Sequence, residues 1–325
     1  MSHLRSARLP SVLALAATAL LLGPAAAAPG GTRVTVRAGD DLQAALDAAP
    51  DGATVVIRKG TYGPVTLTDR SDLDIRGQGK VILDGSTASN CILLTGCTRV
   101  SVRKLELRDS QASALLGVGC DVVTVTRCVV RNAGDEGIEF ADSMRIAVDR
   151  NRIDGTADDG IAVSDSSGEP TNDSSITRNR IAHVPDGGID VHGDDNVISR
   201  NLVVDSQENG ILIASGARNR VERNRILRIT GVGIDVRGDV GTLSRNTVKS
   251  VTGNGIDVAA GTHTITRNKV KSAGDVGLRV ATDGNEVTYN RIAKSGGVDL
   301  QDVSGGSAND FGGNRARTRE PADLD

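Results

Sequence analysis

The stretch VGIDVRGDVGTLSRN, Val232 to Asn246, decides the fold because the chain repeats its pattern. The two segments that follow read NGIDVAAGTHTITRN at residues 254–268 and VGLRVATDGNEVTYN at residues 276–290. In each segment a glycine precedes an apolar–polar–apolar triplet, and an asparagine closes the segment. Ile234 and Val236 alternate with Asp235, an alternation that is typical of a half-buried strand.

The repeat extends well beyond these three segments. Equivalent openings begin at residues 136, 159, 187, 209, 232, 254, 276 and 296, and the closing asparagines are Asn151, Asn179, Asn201, Asn224, Asn246, Asn268, Asn290 and Asn314. Most steps are 22 or 23 residues long, and the longer step to Asn179 contains an insertion at residues 165–173. A fixed period of this length predicts a solenoid whose short strands stack about 4.8 Å apart. We expect the asparagines to form a hydrogen-bonded ladder at a tight turn, with asparagine itself in the left-handed conformation.

Both ends of the chain depart from the repeat. Residues 1–28 combine a basic start, a short apolar stretch and small residues, which is typical of a cleaved signal peptide. We therefore expect a secreted or periplasmic protein without a membrane span. Residues 29–316 form the predicted solenoid domain, and a helix at about residues 40–49, with Asp40 as its N-cap, is expected to cover its open end. Residues 317–325 are polar and predict a disordered tail.

Composition narrows the choice of partner. The formal net charge is −3, and loss of Arg5 and Arg8 with the signal peptide makes it −5, which argues against a nucleic-acid partner. Aromatic residues make up 1% of the chain and tryptophan is absent. Any contact with a carbohydrate would therefore be made by polar and charged side chains.

The helix at residues 40–49, GTY at 60–62, IRGQGKVILDG at 75–85 and the glycine-to-asparagine coils together resemble the pectin-lyase-like superfamily of right-handed parallel β-helices. The resemblance covers about residues 34–316 and is strongest to simple repeat proteins of the pectate-lyase-like and NosD-like kind. It implies an all-β solenoid of about ten coils in an exported bacterial protein associated with carbohydrate. It also implies that an active cleft, where one exists, lies on the outer face of the strand that follows the glycine.

Charged residues occupy that predicted outer face. The candidate catalytic residues are Asp190, His192, Asp235, Arg237 and Asp257. Paired carboxylates one or two coils apart can divide acid and base roles, and Asp235 with Asp257 could instead hold Ca²⁺. A lyase would use such a cation to neutralise a uronate while a base removes the adjacent proton. The alternative is structural, because an outward strand position needs a polar residue in any case.

More acids precede the glycines of several coils. They are Asp135, Glu136, Asp158, Asp159, Asp186, Glu208 and Asp275.

Basic residues form a second stripe, next to the asparagines. An arginine precedes the asparagine in six coils, at Arg150, Arg178, Arg200, Arg223, Arg245 and Arg267. Five of them, Arg178 to Arg267, are candidate contacts to an acidic polysaccharide, whose negative charge they would match. Alternatively, their aliphatic stems cover an apolar edge while the charged ends stay in water.

Four cysteines fall within the solenoid. Cys97 and Cys120 are 23 residues apart and are expected to be neighbours in adjacent coils. They could form a disulfide from coil to coil or remain two small buried thiols. Cys128 takes the asparagine position of its coil, and neither Cys91 nor Cys128 has an assigned partner.

Two classes of function follow. The first is a secreted enzyme, a lyase or glycoside hydrolase, acting on acidic polysaccharide, and an epimerase stays open as well. The second is a non-catalytic glycan-binding or structural β-helix, since a fold does not determine a function. The motifs N-T-D, G-H-G, R-I-K and D-P-H-D of related enzymes do not occur in the sequence. The resemblance therefore assigns no catalytic residue by motif.

Overall fold

The computed structural model describes residues 31–165, 167–239, 241–306, 308–322 and 324. Across these residues the chain winds as a right-handed parallel β-helix, with one short helix near its start and parallel pairing throughout. The predicted signal peptide, residues 1–28, lies outside the described residues. Within them, no helix has both the length and the apolar character needed to cross a bilayer.

Strands that follow the repeated glycines form a sheet of 12 strands, called sheet I here. Its strands are β3 (Val65–Thr68), β5 (Ile92–Thr95), β8 (Leu115–Val118), β11 (Ile138–Ala141), β14 (Ile161–Ser164), β17 (Ile189–Val191), β20 (Ile211–Ile213), β23 (Ile234–Val236), β26 (Ile256–Val258), β29 (Leu278–Val280), β32 (Leu300–Asp302) and β34 (Arg319–Glu320).

The remaining strands form a bent sheet of 22 strands, sheet II. Its strands are β1 (Arg33–Val36), β2 (Thr54–Tyr62), β4 (Asp74–Asp84), β6 (Ser101–Arg103), β7 (Glu106–Arg108), β9 (Thr124–Thr126), β10 (Val129–Arg131), β12 (Ala147–Asp149), β13 (Arg152–Asp154), β15 (Ser175–Thr177), β16 (Arg180–Val184), β18 (Val197–Ser199), β19 (Leu202–Ser206), β21 (Arg220–Glu222), β22 (Arg225–Ile229), β24 (Gly241–Ser244), β25 (Thr247–Val251), β27 (His263–Thr266), β28 (Lys269–Ala273), β30 (Glu286–Thr288), β31 (Arg291–Ala293) and β33 (Asp310–Gly312).

Most coils contribute one strand to sheet I and two to sheet II, while the coils at the two ends contribute one sheet II strand each, β2, β4 or β33. The 12 strands of sheet I correspond to about twelve coils, so the prediction of about ten is low by two. The sequence repeat does not count the coils at the two ends, where the glycine-to-asparagine pattern is lost. Arg319–Glu320, in the segment whose composition predicts disorder, form the last strand of sheet I and pair with Leu300 and Gln301.

The repeated glycine is required by close packing. A side-chain carbon at Gly233 would lie 2.4 Å from both the carbonyl oxygen of Gly255 and a methyl group of Val248. The inward residues that follow, Ile234 and Val236, are 0% and 2% exposed and join one continuous apolar core. The glycine therefore lets the strand of sheet I start directly against the neighbouring coil.

The asparagine ladder is confirmed and is buried. The backbone N–H of Asn224 donates to Oδ1 of Asn246 at 2.9 Å, and Nδ2 of Asn246 donates to the carbonyl oxygen of Val221 at 2.7 Å. The same contacts recur from Asn151 to Asn314, and Cys128 takes the first position, where its N–H donates to Asn151. Each asparagine thus closes the bend of sheet II and joins its coil to the next.

The prediction that these asparagines have the left-handed conformation is wrong. The residue before each one has the positive φ angle, for example 56° at Arg223 and 56° at Arg245. The asparagine side chain must point inward to reach the next coil, so the sharp reversal falls on the preceding residue.

The helix near the start is α1 (Leu42–Ala48). Its N-cap is Asp41 rather than the predicted Asp40, because the Asp41 carboxylate accepts from the N–H of Ala44 at 3.0 Å. The Gln43 amide covers the open edge of β3, accepting from the N–H of Thr66 at 2.8 Å and donating to its carbonyl oxygen at 2.9 Å. The first strand of sheet I is thereby protected from pairing with another chain.

All four cysteines are free thiols and buried in the structure. Cys97 and Cys120 lie in adjacent coils as their spacing predicts, and each sulfur also lies near a backbone carbonyl oxygen. In this form they are two small buried thiols, and a disulfide from coil to coil stays a prediction.

Candidate functional site

The outer face of sheet I brings the predicted catalytic residues together in two groups. Asp190 and His192 lie in one coil, with Nε2 of His192 3.4 Å from Oδ2 of Asp190. Asp235 pairs with Asp257 in register, and Leu212 separates Asp235 from Asp190. The predicted column exists, but an apolar residue divides it.

Asp235 and Asp257 are each paired with an arginine. Arg237 donates to Oδ2 of Asp235 at 2.7 Å and folds over it, so Asp235 is only 6% exposed rather than open to solvent as expected. Arg279 donates to Asp257 at 3.0 Å, and Asn254 donates to its other oxygen at 2.8 Å. Positive charge already compensates the two carboxylates that were predicted to hold Ca²⁺.

Asp190 and His192 lie in a different environment. The pKa of His192 is raised by its hydrogen bond to Asp190, and a second carboxylate, Asp165, lies 3.5 Å from its Nδ1. The Oδ1 atom of Asp190 is buried and has no hydrogen-bond partner among the described residues. The imidazole therefore orients one oxygen of Asp190 and leaves the other unpaired.

The acids that precede the glycines form a cluster beside Asp190. This acid cluster consists of Asp135, Glu136, Asp158, Asp159, Asp186 and Glu208, one or two residues from each of four successive coils. Two groups of three carboxylates within it have oxygen atoms within 4.8 Å of one another, Asp135–Glu136–Asp158 and Asp158–Asp159–Asp186. The sequence showed the doubled acids but not that their side chains would converge.

A serine lies at one end of the acid cluster, between two glutamates. The hydroxyl oxygen of Ser113 lies 2.9 Å from Oε2 of Glu136 and 3.0 Å from Oε2 of Glu139. A hydroxyl group has one proton to donate, so the two glutamates share a single donor. Burial, and then the charge of Glu139, raise the pKa of Glu136 to about 7.

Asp159 is the most strongly perturbed acid of the cluster. Burial raises its pKa to about 8, and the charges of Asp190, Asp186 and Asp158 add to this effect. Oδ1 of Asp159 accepts from the backbone N–H of Gly187 at 2.8 Å, which fixes the orientation of the carboxyl group. Asp158 and Asp186 also have raised pKa values, first through burial.

The acid cluster differs from Asp235 and Asp257 in having no compensating cation. In the part of the chain that the structure describes, no lysine or arginine is within salt-bridge range of the cluster, and His192 is the only basic side chain within that range of Asp190. Protons or a bound cation can take the place of positive side chains here, and a carboxyl group whose pKa is near 7 can donate and accept a proton in turn.

The predicted arginine stripe lies on the opposite edge of the coil, at the asparagine turn. The structure extends it upstream by two coils, because Lys104 and Arg127 occupy the same position as the arginines. We call this set the basic column: Lys104, Arg127, Arg150, Arg178, Arg200, Arg223, Arg245 and Arg267. All eight residues are exposed and have φ between 56° and 58°.

Comparison with known proteins agrees with this architecture. Residues 71–226 and 169–292 match the family model described as "Right handed beta helix region". No curated protein matches the chain.

Solved structures of several enzymes resemble it in fold. The A-module of mannuronan C-5 epimerase AlgE4 of Azotobacter vinelandii superposes with a TM-score of 0.70 at 14% identity, covering 88% of this chain and 93% of that one. The catalytic unit of a GH87 α-1,3-glucanase of Streptomyces thermodiastaticus has a TM-score of 0.58 at 16% identity, covering 90% and 70%. A family 28 exopolygalacturonase of Yersinia enterocolitica has a TM-score of 0.57 at 13% identity, covering 88% and 78%. At these identities the likeness shows a shared fold.

Proposed function

The chain belongs to the right-handed β-helix family, and from that premise we propose that it hydrolyses a polysaccharide bound along the outer face of sheet I. The named structural neighbours act on polysaccharides, which supports the class of substrate. The observation that carries the proposal is the acid cluster, where carboxyl groups without a cation lie next to the oriented Asp190–His192 pair.

Hydrolysis of a glycosidic bond needs one protonated and one ionised carboxyl group. Asp159 suits the acid role because its raised pKa, about 8, keeps it protonated at neutral pH. Asp190 suits the base or nucleophile role because His192 orients it through Oδ2, while its other oxygen, Oδ1, has no hydrogen-bond partner among the described residues. The two residues come from adjacent coils, since Ala162 pairs in register with Asp190 and follows Asp159 by three positions.

Asp235, Arg237 and Asp257 continue the same face beyond Leu212. We propose that they contact sugar hydroxyl groups of the bound chain rather than take part in bond cleavage. The ion pairs of the two aspartates with Arg237 and Arg279 fix the orientation of these side chains, which suits polar recognition by a protein with few aromatic residues.

The test uses the purified protein with a panel of neutral glucans, polygalacturonate and alginate, in which new reducing ends are counted. Asp159→Asn and Asp190→Asn should each lower kcat by about a hundredfold or more, the usual contribution of acid–base catalysis. Glu286→Gln, an exposed carboxylate on sheet II, is the matched control and should retain full activity. Equal activity in all four proteins, or no cleavage of any polymer, would refute hydrolysis at this site.

A second candidate is calcium-assisted elimination of a uronate, which the two groups of three close carboxylates favour. Asp158 would contribute oxygen atoms to either group, and the cation would neutralise the substrate carboxylate. The same tubes distinguish this reaction, because elimination creates ultraviolet-absorbing unsaturated ends and should stop when a chelator is added. An epimerase would produce neither signal.

Export is part of the proposal, through the predicted signal peptide at residues 1–28. The amino terminus of the protein recovered from the medium or periplasm, read by sequencing, should begin near Pro29.

If no polymer in the panel is changed, the result would favour the non-catalytic alternative, a glycan-binding or structural β-helix.

A further inference from the structure

We propose that the basic column is a docking surface for a linear acidic polysaccharide, separate from the face of sheet I. It lies at the bend of sheet II and presents one cation from each of eight successive coils. At about 4.8 Å per coil the column is roughly 34 Å long. The proposal concerns binding alone and does not depend on whether the acid cluster is catalytic.

Five cations of the column are uncompensated. Among the residues described, no carboxylate is in salt-bridge range of Lys104, Arg127, Arg200, Arg223 or Arg245. Arg150 and Arg178 share Asp149, at 3.2 and 2.6 Å, and Arg267 stacks over the ring of Tyr289 with 5.7 Å to its centroid. Glu222, the acid nearest Arg223 in sequence, is engaged by Arg220 at 2.6 Å. The column therefore contains two runs of available positive charge, Lys104 with Arg127 and Arg200 to Arg245, in a protein of net negative charge.

The arginines are also unfavourable for the fold itself. A left-handed backbone conformation disfavours residues with a large side chain and suits glycine or asparagine better. Like charges stacked in neighbouring coils repel one another as well. The asparagine ladder closes the turn without help from the arginine side chain, so folding does not explain why a cation occupies all eight positions.

Covering an apolar edge, the alternative considered from the sequence, does not account for the column either. In six of the eight coils the residue that follows the cation is a buried asparagine, 1–2% exposed and already satisfied by hydrogen bonds, and in the first two it is Leu105 or Cys128, which are equally buried. The arginine side chains are themselves exposed and project from the turn.

Charge and shape favour a polyuronate among polyanions. A linear uronate polymer carries one carboxylate per sugar ring, and the length of a ring with its linking oxygen is similar to the rise of one coil. Arginine binds carboxylates through a planar pair of N–H donors. A single-stranded nucleic acid would require stacking rings, and among the described residues only one aromatic side chain, Tyr289, is recorded against a column residue. A membrane would call for apolar anchors, and exposed large apolar side chains in the described chain are limited to Met144, Tyr289 and Val303.

The key variant is Arg200→Asn with Arg223→Asn and Arg245→Asn. Asparagine tolerates the left-handed conformation, so the substitutions remove three charges while the turn is kept. The matched control is Arg37→Asn with Lys59→Asn and Lys294→Asn, which removes three exposed cations away from the column and gives the same net charge.

Binding of polygalacturonate and alginate would be measured by isothermal calorimetry at 50 and 200 mM salt, with dextran as a neutral polymer. We expect the unmodified protein and the control to bind both polyuronates, with affinity falling at higher salt, and not to bind dextran. The key variant should bind at least about tenfold more weakly and depend less on salt.

Equal affinity of the key variant and the control would overturn the proposal. Tighter binding to phosphatidylserine vesicles or to single-stranded DNA than to either polyuronate would overturn it too. A failure of the catalytic proposal would leave the difference in affinity between the key variant and the control unchanged. A failure of the docking proposal would appear as the absence of that difference, whatever the activity of the protein.

Discussion

The two turns that border each coil show opposite patterns. At the bend of sheet II, a basic residue followed by an asparagine recurs from coil to coil, and the asparagine is buried in a hydrogen-bonded ladder. At the turn before sheet I, acids gather in four successive coils and are absent or scattered in the others. Their side chains are partly buried, except for the exposed Glu208, and have no cationic partner among the residues that the structure describes.

The difference distinguishes residues that the stacking of coils requires from residues that stacking does not explain. A feature that recurs in every coil can be explained by the stacking of coils, as the asparagines are. A feature confined to a few coils is not explained by stacking. The acid cluster is such a feature, and because crowding carboxyl groups is unfavourable, it indicates a functional site. The basic column combines both patterns, because it recurs regularly while the fold does not require its charge.

The largest effect expected is loss of stability when the asparagine ladder is broken. Asn246→Leu would leave the N–H of Asn224 and the carbonyl oxygen of Val221 buried without partners. The free energy of unfolding should fall by roughly 2–4 kcal/mol, since each buried unsatisfied group costs about 1–3 kcal/mol. Urea denaturation followed by circular dichroism measures the change.

The comparison variant lies in the other turn. Glu208→Gln, an exposed member of the acid cluster, should change stability by less than about 0.5 kcal/mol. A similar loss for both variants would mean that the two turns do not differ in structural importance.

The next effect is on the pH dependence of stability. Asp159 and Glu136 have pKa values raised to about 8 and about 7, so the folded protein binds protons that the unfolded chain releases near pH 4. The stabilisation from these bound protons is complete below the pKa that the two groups have in the unfolded chain. It is lost as the pH rises through their pKa values in the folded protein. The free energy of unfolding should therefore fall between pH 5 and 9, by up to about 1.4 kcal/mol per pH unit for one group.

Asp159→Asn should remove a large part of that slope, because the amide oxygen can still accept from Gly187 and carries no charge to bury. Denaturation of both proteins at pH 5, 7 and 9 measures it. A slope that is the same in the variant would show that Asp159 titrates normally and would remove the acid assigned to the proposed site.

The smallest effect is a gain. Arg223→Asn places a residue better suited to the left-handed conformation at φ 56° and relieves repulsion from Arg245. We expect about 0.5–1 kcal/mol of added stability in urea denaturation. Arg225→Asn, two residues on in β22, is the control and should not stabilise, because asparagine is disfavoured in a strand. A loss of stability in the first variant would show that the arginine serves the fold.

Much of the fold could be predicted from the sequence because its pattern is local and repeated. The glycine, the alternating triplet and the asparagine each correspond to one contact with the adjacent coil, and that contact is the same in every repeat. The errors lie where the repeat fades or where geometry within one turn decides the result. The number of coils, the N-cap at Asp41 and the positive φ of the arginines are of this kind.

The candidate site was predictable only in part. The sequence identified Asp190 and His192 on the correct face and also noted the acids before the glycines. It weighted Asp235 and Asp257 equally with Asp190, although Arg237 and Arg279 neutralise the former two. Ser113 carries no pattern that would have linked it to Glu136 and Glu139.

By itself, then, the sequence determined the period, the three strands of a coil, the inward residues and the asparagine ladder, because these depend on spacing along the chain. Only the tertiary structure decided which carboxyl groups lie without a cation, which are covered by an arginine, and how far the basic column extends. The physical reason is that the charge state of a side chain depends on burial and on neighbours from several coils. A charged side chain can form an ion pair with such a neighbour or point away from it, and the spacing of the repeat is the same in both cases.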